Sequence, residues 1–268
     1  MQPPLALVLV ALVALAPAAE GAGPPTSKKR TMKVVRRVVL DPGHGGENTG
    51  CMGFNGVYEK YITLQIAERT ERRLQELSDA EVFLTRRRDE DFGLRERANY
   101  AREVQGDVFV SIHLNASLGG TASGAETYFL SASAATDEIA ALIEREERAT
   151  EPPPVGASPQ DVHRAAIDAI LFDARLGAAH QLSERLAELI QRNLVKATAP
   201  APDRGVKQAP FAVLKEAVVP AVVVECGFLT NESEGTALLL DAHQDRIADA
   251  LARALVELDV ALATEPSR

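Results

Sequence analysis

Three short apolar runs in this chain stop on residues that can bind a metal or carry a proton. Val34–Leu40 gives way to Asp41-Pro42-Gly43-His44-Gly45-Gly46, Val108–Ile112 to His113-Leu114-Asn115, and Val218–Val224 to Glu225. A fourth such residue, Glu59, opens an amphipathic stretch. Continuous Val- and Ile-rich runs of this length read as strands buried on both faces, as in a parallel sheet covered by helices. Sites in such sheets form beyond the carboxyl ends of strands. His44, His113 and Glu225 are therefore predicted at or just after three strand ends. Glu59, at the start of its helix, points into the same crevice.

The rest of the chain alternates in the same manner. Further strands are predicted at Glu81–Thr85, Glu126–Leu130 and Phe211–Leu214. Ile62, Ile66, Leu74 and Leu77 recur near helical spacing, as do Leu182, Leu186, Leu189, Ile190 and Leu194, and then Ile247, Leu251 and Leu255. The pattern predicts one α/β domain over residues 34–260: a mostly parallel, twisted sheet of about six strands flanked by helices. Residues 131–179 depart from it. A charged helical stretch, Thr136–Thr150, meets Pro152-Pro153-Pro154, which cannot continue a helix. Ser158-Pro159 then has the chemistry of a new helix start. A helical insertion of that length inside a compact domain is usually functional or disordered.

Before the domain, Leu5–Ala19 is nearly continuous in apolarity and runs into small residues near Ala18 to Ala22. This length suits a secretory signal, residues 1–22, better than a membrane span. The missing Lys or Arg ahead of it leaves an uncleaved anchor as the alternative. A polar linker (23–33) and a short tail (261–268) flank the domain. With net charge -9 and one small basic cluster, Lys28-Lys29-Arg30, the chain has no electrostatic footprint for nucleic acid. After removal of the signal, no transmembrane segment is expected. Cys51 and Cys226 are not spaced as a zinc knuckle, and the sequence leaves both a disulfide and two free thiols open.

Taken singly, the polar residues have plainer readings. A His after a strand is ordinarily a hydrogen-bonded structural residue, and a Glu at a helix start a surface carboxylate favoured by the dipole. Glu225 is harder to dismiss, because an unpaired charge after Val-Val-Val in a buried strand is costly. Two imidazoles and a carboxylate fit a catalytic zinc with one position left for water. A second carboxylate suits the water's proton. His163, His180 and His243 are expected on the surface.

The motifs also resemble those of a known family. Asp41 to Gly46 with Gly50, Gly53, Gly56 and Glu59-Lys60, then Thr85-Arg86, Leu94 and Arg97, follow its opening and middle. Asp107–Ala116, Gly124–Leu130 and Pro220–Asn231 follow its later blocks in order. Over residues 35–256 the chain is similar to the zinc-dependent N-acetylmuramoyl-L-alanine amidases of the Amidase_3 type. Asn48-Thr49 and Arg102 depart from that pattern, at positions away from the ligands. The resemblance implies one Zn²⁺ held by His44, Glu59 and His113, with Glu225 as general base and acid. It implies hydrolysis of the amide joining N-acetylmuramic acid to L-alanine in bacterial peptidoglycan. Asn115 and Arg97 are expected either to support the ligands from behind or to be structural. The setting implied is the periplasm, with release outside the cell as the alternative. The stretch 131–179 resembles the insertion of activator-regulated cell-division amidases, whose helix supplies an inhibitory ligand. Glu146 is the candidate here, and a protein activator would dock on the insertion; a solvated acidic helix is the plainer reading. The metal site alone does not separate this activity from a zinc peptidase cutting within the stem peptide. A silent wall-binding protein on the same fold is disfavoured by the intact set of four.

Overall fold

The computed structural model describes residues 29–130, 142–144 and 159–265, with 159–176 and 178 described by backbone alone. The signal segment, residues 266–268 of the tail, and Glu146 lie outside the described residues. Six strands, β1 (Arg37–Pro42), β2 (Glu81–Leu84), β3 (Val108–Asn115), β4 (Ala125–Leu130), β5 (Asp203–Ala209) and β6 (Ala221–Phe228), form one sheet in the order β2-β1-β3-β6-β4-β5. Pairing is parallel throughout except between β6 and β4. The predicted α/β architecture with a mostly parallel sheet is what the chain adopts.

The helices cover both faces. On one face lie α1 (Glu59–Leu77), α3 (Pro159–Thr198) and α6 (Asp241–Thr264). Ile62, Ile66, Leu74, Leu186, Ile190, Leu251 and Leu255 from these helices pack on Val38, Leu40, Val110, Ile112, Val222 and Val224. The opposite face carries the smaller helices α2 (Leu94–Glu103) and α4 (Ala212–Ala217). There Ala101, Val213, Leu214 and Ala217 join Val39, Phe109, Tyr128 and Val223. Because strand side chains alternate between faces, the odd-numbered His113 and Glu225 share this second face with Phe109 and Val223. The short α5 (Glu232–Leu238) follows β6 and is capped by Asn231, whose side chain accepts from the amides of Ser233 and Glu234.

Several expectations are corrected. Phe211–Leu214 is not a strand: Val213, Leu214 and Ala217 are the buried side of α4. The remaining strand is β5, Asp-Arg-Gly-Val-Lys-Gln-Ala, which carries no apolar run because it is the sheet edge, where charged side chains blunt further pairing. His113 and Glu225 sit within β3 and β6 rather than beyond their ends. Residues 159–179 are continuous with the Leu182–Leu194 helix in α3, since no proline interrupts it after Pro159. His243 is buried, 7% exposed, with Nδ1 2.8 Å from Arg246 Nη2. Cys51 and Cys226 are free thiols.

Residues 32–35 form no strand but are tied to α6. Asp259, fully buried, accepts the backbone N–H groups of Lys33, Val34 and Val35 at 2.7–3.1 Å. Among the described residues, no helix is long and apolar enough to cross a membrane.

Candidate metal centre

β1 ends at Pro42, and the chain turns at once through His44, which adopts a left-handed conformation (φ 61°) rare for a side-chain-bearing residue. Two buried guanidinium groups hold this turn. Arg97 donates to Pro42 O (2.8 Å), His44 O (2.7 Å) and the Asp41 carboxylate (2.7 Å). Arg86 donates to Pro42 O (3.1 Å), Gly43 O (2.8 Å) and Lys60 O (2.8 Å), so it ties the turn to the first residues of α1. Burial lowers the Arg86 pKa to about 10, which leaves it charged at neutral pH. Lys60 Nζ adds a bond to Gly46 O (2.7 Å) and pairs with Asp89.

Asp41 lies beneath the turn. Its burial alone would raise the carboxyl pKa, but the Arg97 charge and bonds from Thr85 (2.6 Å), Ser111 (2.7 Å) and Arg97 outweigh that and hold it below the ordinary value.

Glu59, wholly buried, begins α1 and receives the Leu114 amide on Oε1 (2.8 Å) and the Cys51 amide on Oε2 (2.9 Å). Burial opposes its ionisation, yet the two imidazoles beside it keep its pKa well below the usual carboxylate range. Its Oε1 lies 3.0 Å from His44 Nε2 and 3.2 Å from His113 Nδ1. The two rings meet edge to face at 4.8 Å between centroids. One donor atom from each of the three residues falls within 4.8 Å of the others. Donors bound at about 2.0–2.1 Å to a tetrahedral zinc are themselves roughly 3.3 Å apart, so this donor set fits the ion in both chemistry and spacing. Asn48, expected to lie away from the ligands, instead touches one: His44 Nδ1 lies 2.9 Å from Asn48 Oδ1, which orients the ring through the nitrogen that faces away from Glu59.

Close approach explains two of the glycines. A Cβ on Gly43 would sit 2.5 Å from the His113 ring. One on Gly50 (φ +66°) would sit 2.6 Å from both Glu59 Oε2 and the His44 ring.

Glu225 is fully buried on β6, in direct register with His113 on β3. On its other side, in register on β4, stands Glu126. Glu126 is 2% exposed and takes four donors: Asn115 Nδ2 (2.6 Å) and Tyr128 Oη (2.9 Å) on Oε1, Arg204 Nε (2.8 Å) and Lys207 Nζ (2.7 Å) on Oε2. Burial would raise its pKa, but bonds to Lys207 and Arg204 hold it lowered.

The structure thus brings together His44, Glu59 and His113, sets Glu225 beside them in the sheet, and places Arg97 on the His44 carbonyl, whereas the Asn115 amide donates to Glu126. Sequence reasoning found Arg86 and Glu126 only as members of motif blocks, with no role given to either, and missed Arg204 and Lys207. Glu126 was detectable by the logic applied to Glu225, as a lone carboxylate in an otherwise apolar strand. Arg204 and Lys207 carried no signal, because β5 does not read as a strand.

Comparison with known proteins decides the family. Residues 38–257 match the family model for N-acetylmuramoyl-L-alanine amidase, Amidase_3. The chain belongs to this family. It is 35% identical over 237 residues to N-acetylmuramoyl-L-alanine amidase AmiA of Escherichia coli, covering 88% of this chain and 80% of the relative. It is 33% identical over 215 residues to AmiC of Neisseria meningitidis, covering 80% of this chain but only 50% of that protein. The crystal structure of an N-acetylmuramoyl-L-alanine amidase from Clostridium difficile superimposes with a TM-score of 0.64 at 29% identity, covering 87% of this chain and all of that one. The catalytic domain of the Paenibacillus polymyxa amidase CwlV gives 0.63 at 26% identity, covering 86% and 99%. The amidase family therefore accounts for the α/β fold described above.

Proposed function

We propose that this chain hydrolyses the amide between the lactyl carbonyl of N-acetylmuramic acid and L-alanine in peptidoglycan. His44, Glu59 and His113 would hold a zinc ion, and Glu225 would move the proton. The observation that carries this reading is the single oxygen of Glu59 set 3.0 and 3.2 Å from two imidazole nitrogens, with Glu225 in register beside one of them. Zinc, when bound, supplies polarisation of the scissile carbonyl and a lowered pKa for water at the site.

The protein's own groups do the rest. Glu225 accepts the proton of the attacking water and delivers it to the nitrogen as the C–N bond breaks, releasing a carboxylate and an amine. Arg86 and Arg97 hold the His44 turn rigid, so the ligand geometry exists before substrate arrives. The buried amides of Leu114 and Cys51 fix both oxygens of Glu59.

Muropeptide digestion followed by mass spectrometry tests the reading. Free stem peptides beginning with L-alanine support it, whereas cleavage within the stem would establish a peptidase instead.

The same reading places the protein outside the cytoplasm, in the periplasm or beyond, and assigns residues 131–179 an inhibitory role relieved by an activator. Its support is Leu142: this residue, 8% exposed, is buried in the apolar cluster of Val39, Phe109, Tyr128 and Val223, on the face that carries His113 and Glu225. Glu146 remains the proposed inhibitory carboxylate. Deleting residues 135–158 should raise basal muropeptide release, and unchanged or lower release would refute the role.

A further inference from the structure

Across the second face of the sheet, chemically active side chains from four adjacent strands stand side by side. His113 on β3 is in register with Glu225 on β6, Glu225 with Glu126 on β4, and β5 beyond it contributes Arg204 and Lys207. Adjacent strands are about 4.8 Å apart, so β5 lies roughly 10 Å from β6. Both cations lean inward from that edge, since each bonds Glu126. They are held from a second side as well: the Arg204 guanidinium lies 5.0 Å over the Phe228 ring and Lys207 Nζ 5.7 Å from the Tyr128 ring centre. Each side chain still keeps about a quarter of its surface open, 27% and 26%. Two cations share one carboxylate, so the row ends in a fixed positive group at the edge of the site.

The row also has a direction. Glu225 must protonate the leaving nitrogen, so the departing peptide lies on its side of the scissile carbon, toward β4 and β5. In the stem, the residue after L-alanine is a glutamate joined onward through its side chain. Its α-carboxyl group is then free, or capped as an amide. That group lies one residue beyond the scissile nitrogen, roughly 6 Å away. From a nitrogen held at Glu225, a group at that distance would reach toward the cations.

We infer that Lys207 and Arg204, braced by Glu126, form a subsite for the free α-carboxylate of the second stem residue and so favour stems in which it is not amidated. The inference rests on the amidase reading above. Glu126 is a positioning residue: it holds both cations at fixed height and ties them through Asn115 to the strand of His113.

The test uses two muramyl dipeptides that differ only at this group, acid or amide. Their binding to zinc-loaded Glu225→Gln protein is measured by calorimetry, and their hydrolysis by the unaltered protein is followed separately. The acid should bind roughly 10-fold or more tightly, as expected of a charge-assisted hydrogen bond. Lys207→Gln in the same background should bring the acid-to-amide ratio close to one, and Lys207→Arg should restore it. A merely structural role for Lys207 would weaken both ligands alike. Equal binding of acid and amide, binding of neither, or a preference that survives Lys207→Gln overturns the subsite. Selective binding without hydrolysis of either compound would instead refute the amidase reading and leave the carboxylate subsite standing.

Discussion

His113 on β3 and Glu225 on β6 are direct register partners, so a proposed metal ligand and the proposed proton carrier are fixed side by side by backbone pairing rather than by a loop. Their separation is set by the sheet and by neither side chain's mobility. Proton transfer can thus be removed without disturbing the ligands. Glu225→Gln should retain a full equivalent of zinc by metal analysis while losing muropeptide release by roughly 10²–10⁴-fold. Undiminished release in that variant would remove Glu225 from the mechanism.

His44→Ala or His113→Ala should lose zinc, and unchanged metal content would exclude the residue as a ligand. Chelation of the unaltered protein should lower Tm. At a free zinc concentration a hundredfold over Kd, the ion contributes about 2.7 kcal/mol. A Tm indifferent to chelator would mean that zinc does not bind the folded state.

Arg97→Met removes one partner of a buried ion pair and leaves Asp41 and the carbonyls of Pro42, His44 and Phe92 short of a donor. The expected cost is about 3–5 kcal/mol in denaturant unfolding. Zinc affinity should fall by roughly 10–100-fold, because the His44 turn loses its clamp. Loss of stability with zinc affinity intact would show the residue to be a fold element alone.

Asp41 should make stability depend on acid. Its folded pKa is lowered from an ordinary 3.8, so the unfolded chain takes up the proton first as pH falls. Its contribution is present above the unfolded value and is lost as pH drops through the folded one. Unfolding free energy should therefore decline as pH falls through 3.8 and below, and Asp41→Asn should be less stable near neutrality with a flatter acid limb. An unchanged slope in the variant would contradict the burial argument.

Much of the fold was legible because the inner strands are covered by helices on both faces. Val108–Ile112 and Val218–Val224 announce themselves by apolarity, and the helix from Glu59 by its period. The proposed ligands were legible because each stands near the end of a strand pattern or at the start of a helical one. What escaped lies where the pattern has no reason to exist. β5, at the sheet edge, is polar, and its neighbour Phe211–Leu214 mimics a strand because a short helix needs only one buried side. The role of Arg86 was hidden differently: the residue stands in a motif block, but a guanidinium that serves main-chain carbonyls leaves no trace in spacing.

The reversal of β4 within the sheet has a consequence for control. Leu130 emerges at the rim remote from the imidazoles, whereas β1 delivers its chain directly to them. The chain therefore leaves β4 at the end of the sheet opposite the His44 turn, a strand's length from it. An inhibitory segment of the kind proposed above would thus be attached far from the groups it restrains, and could be drawn aside without moving them.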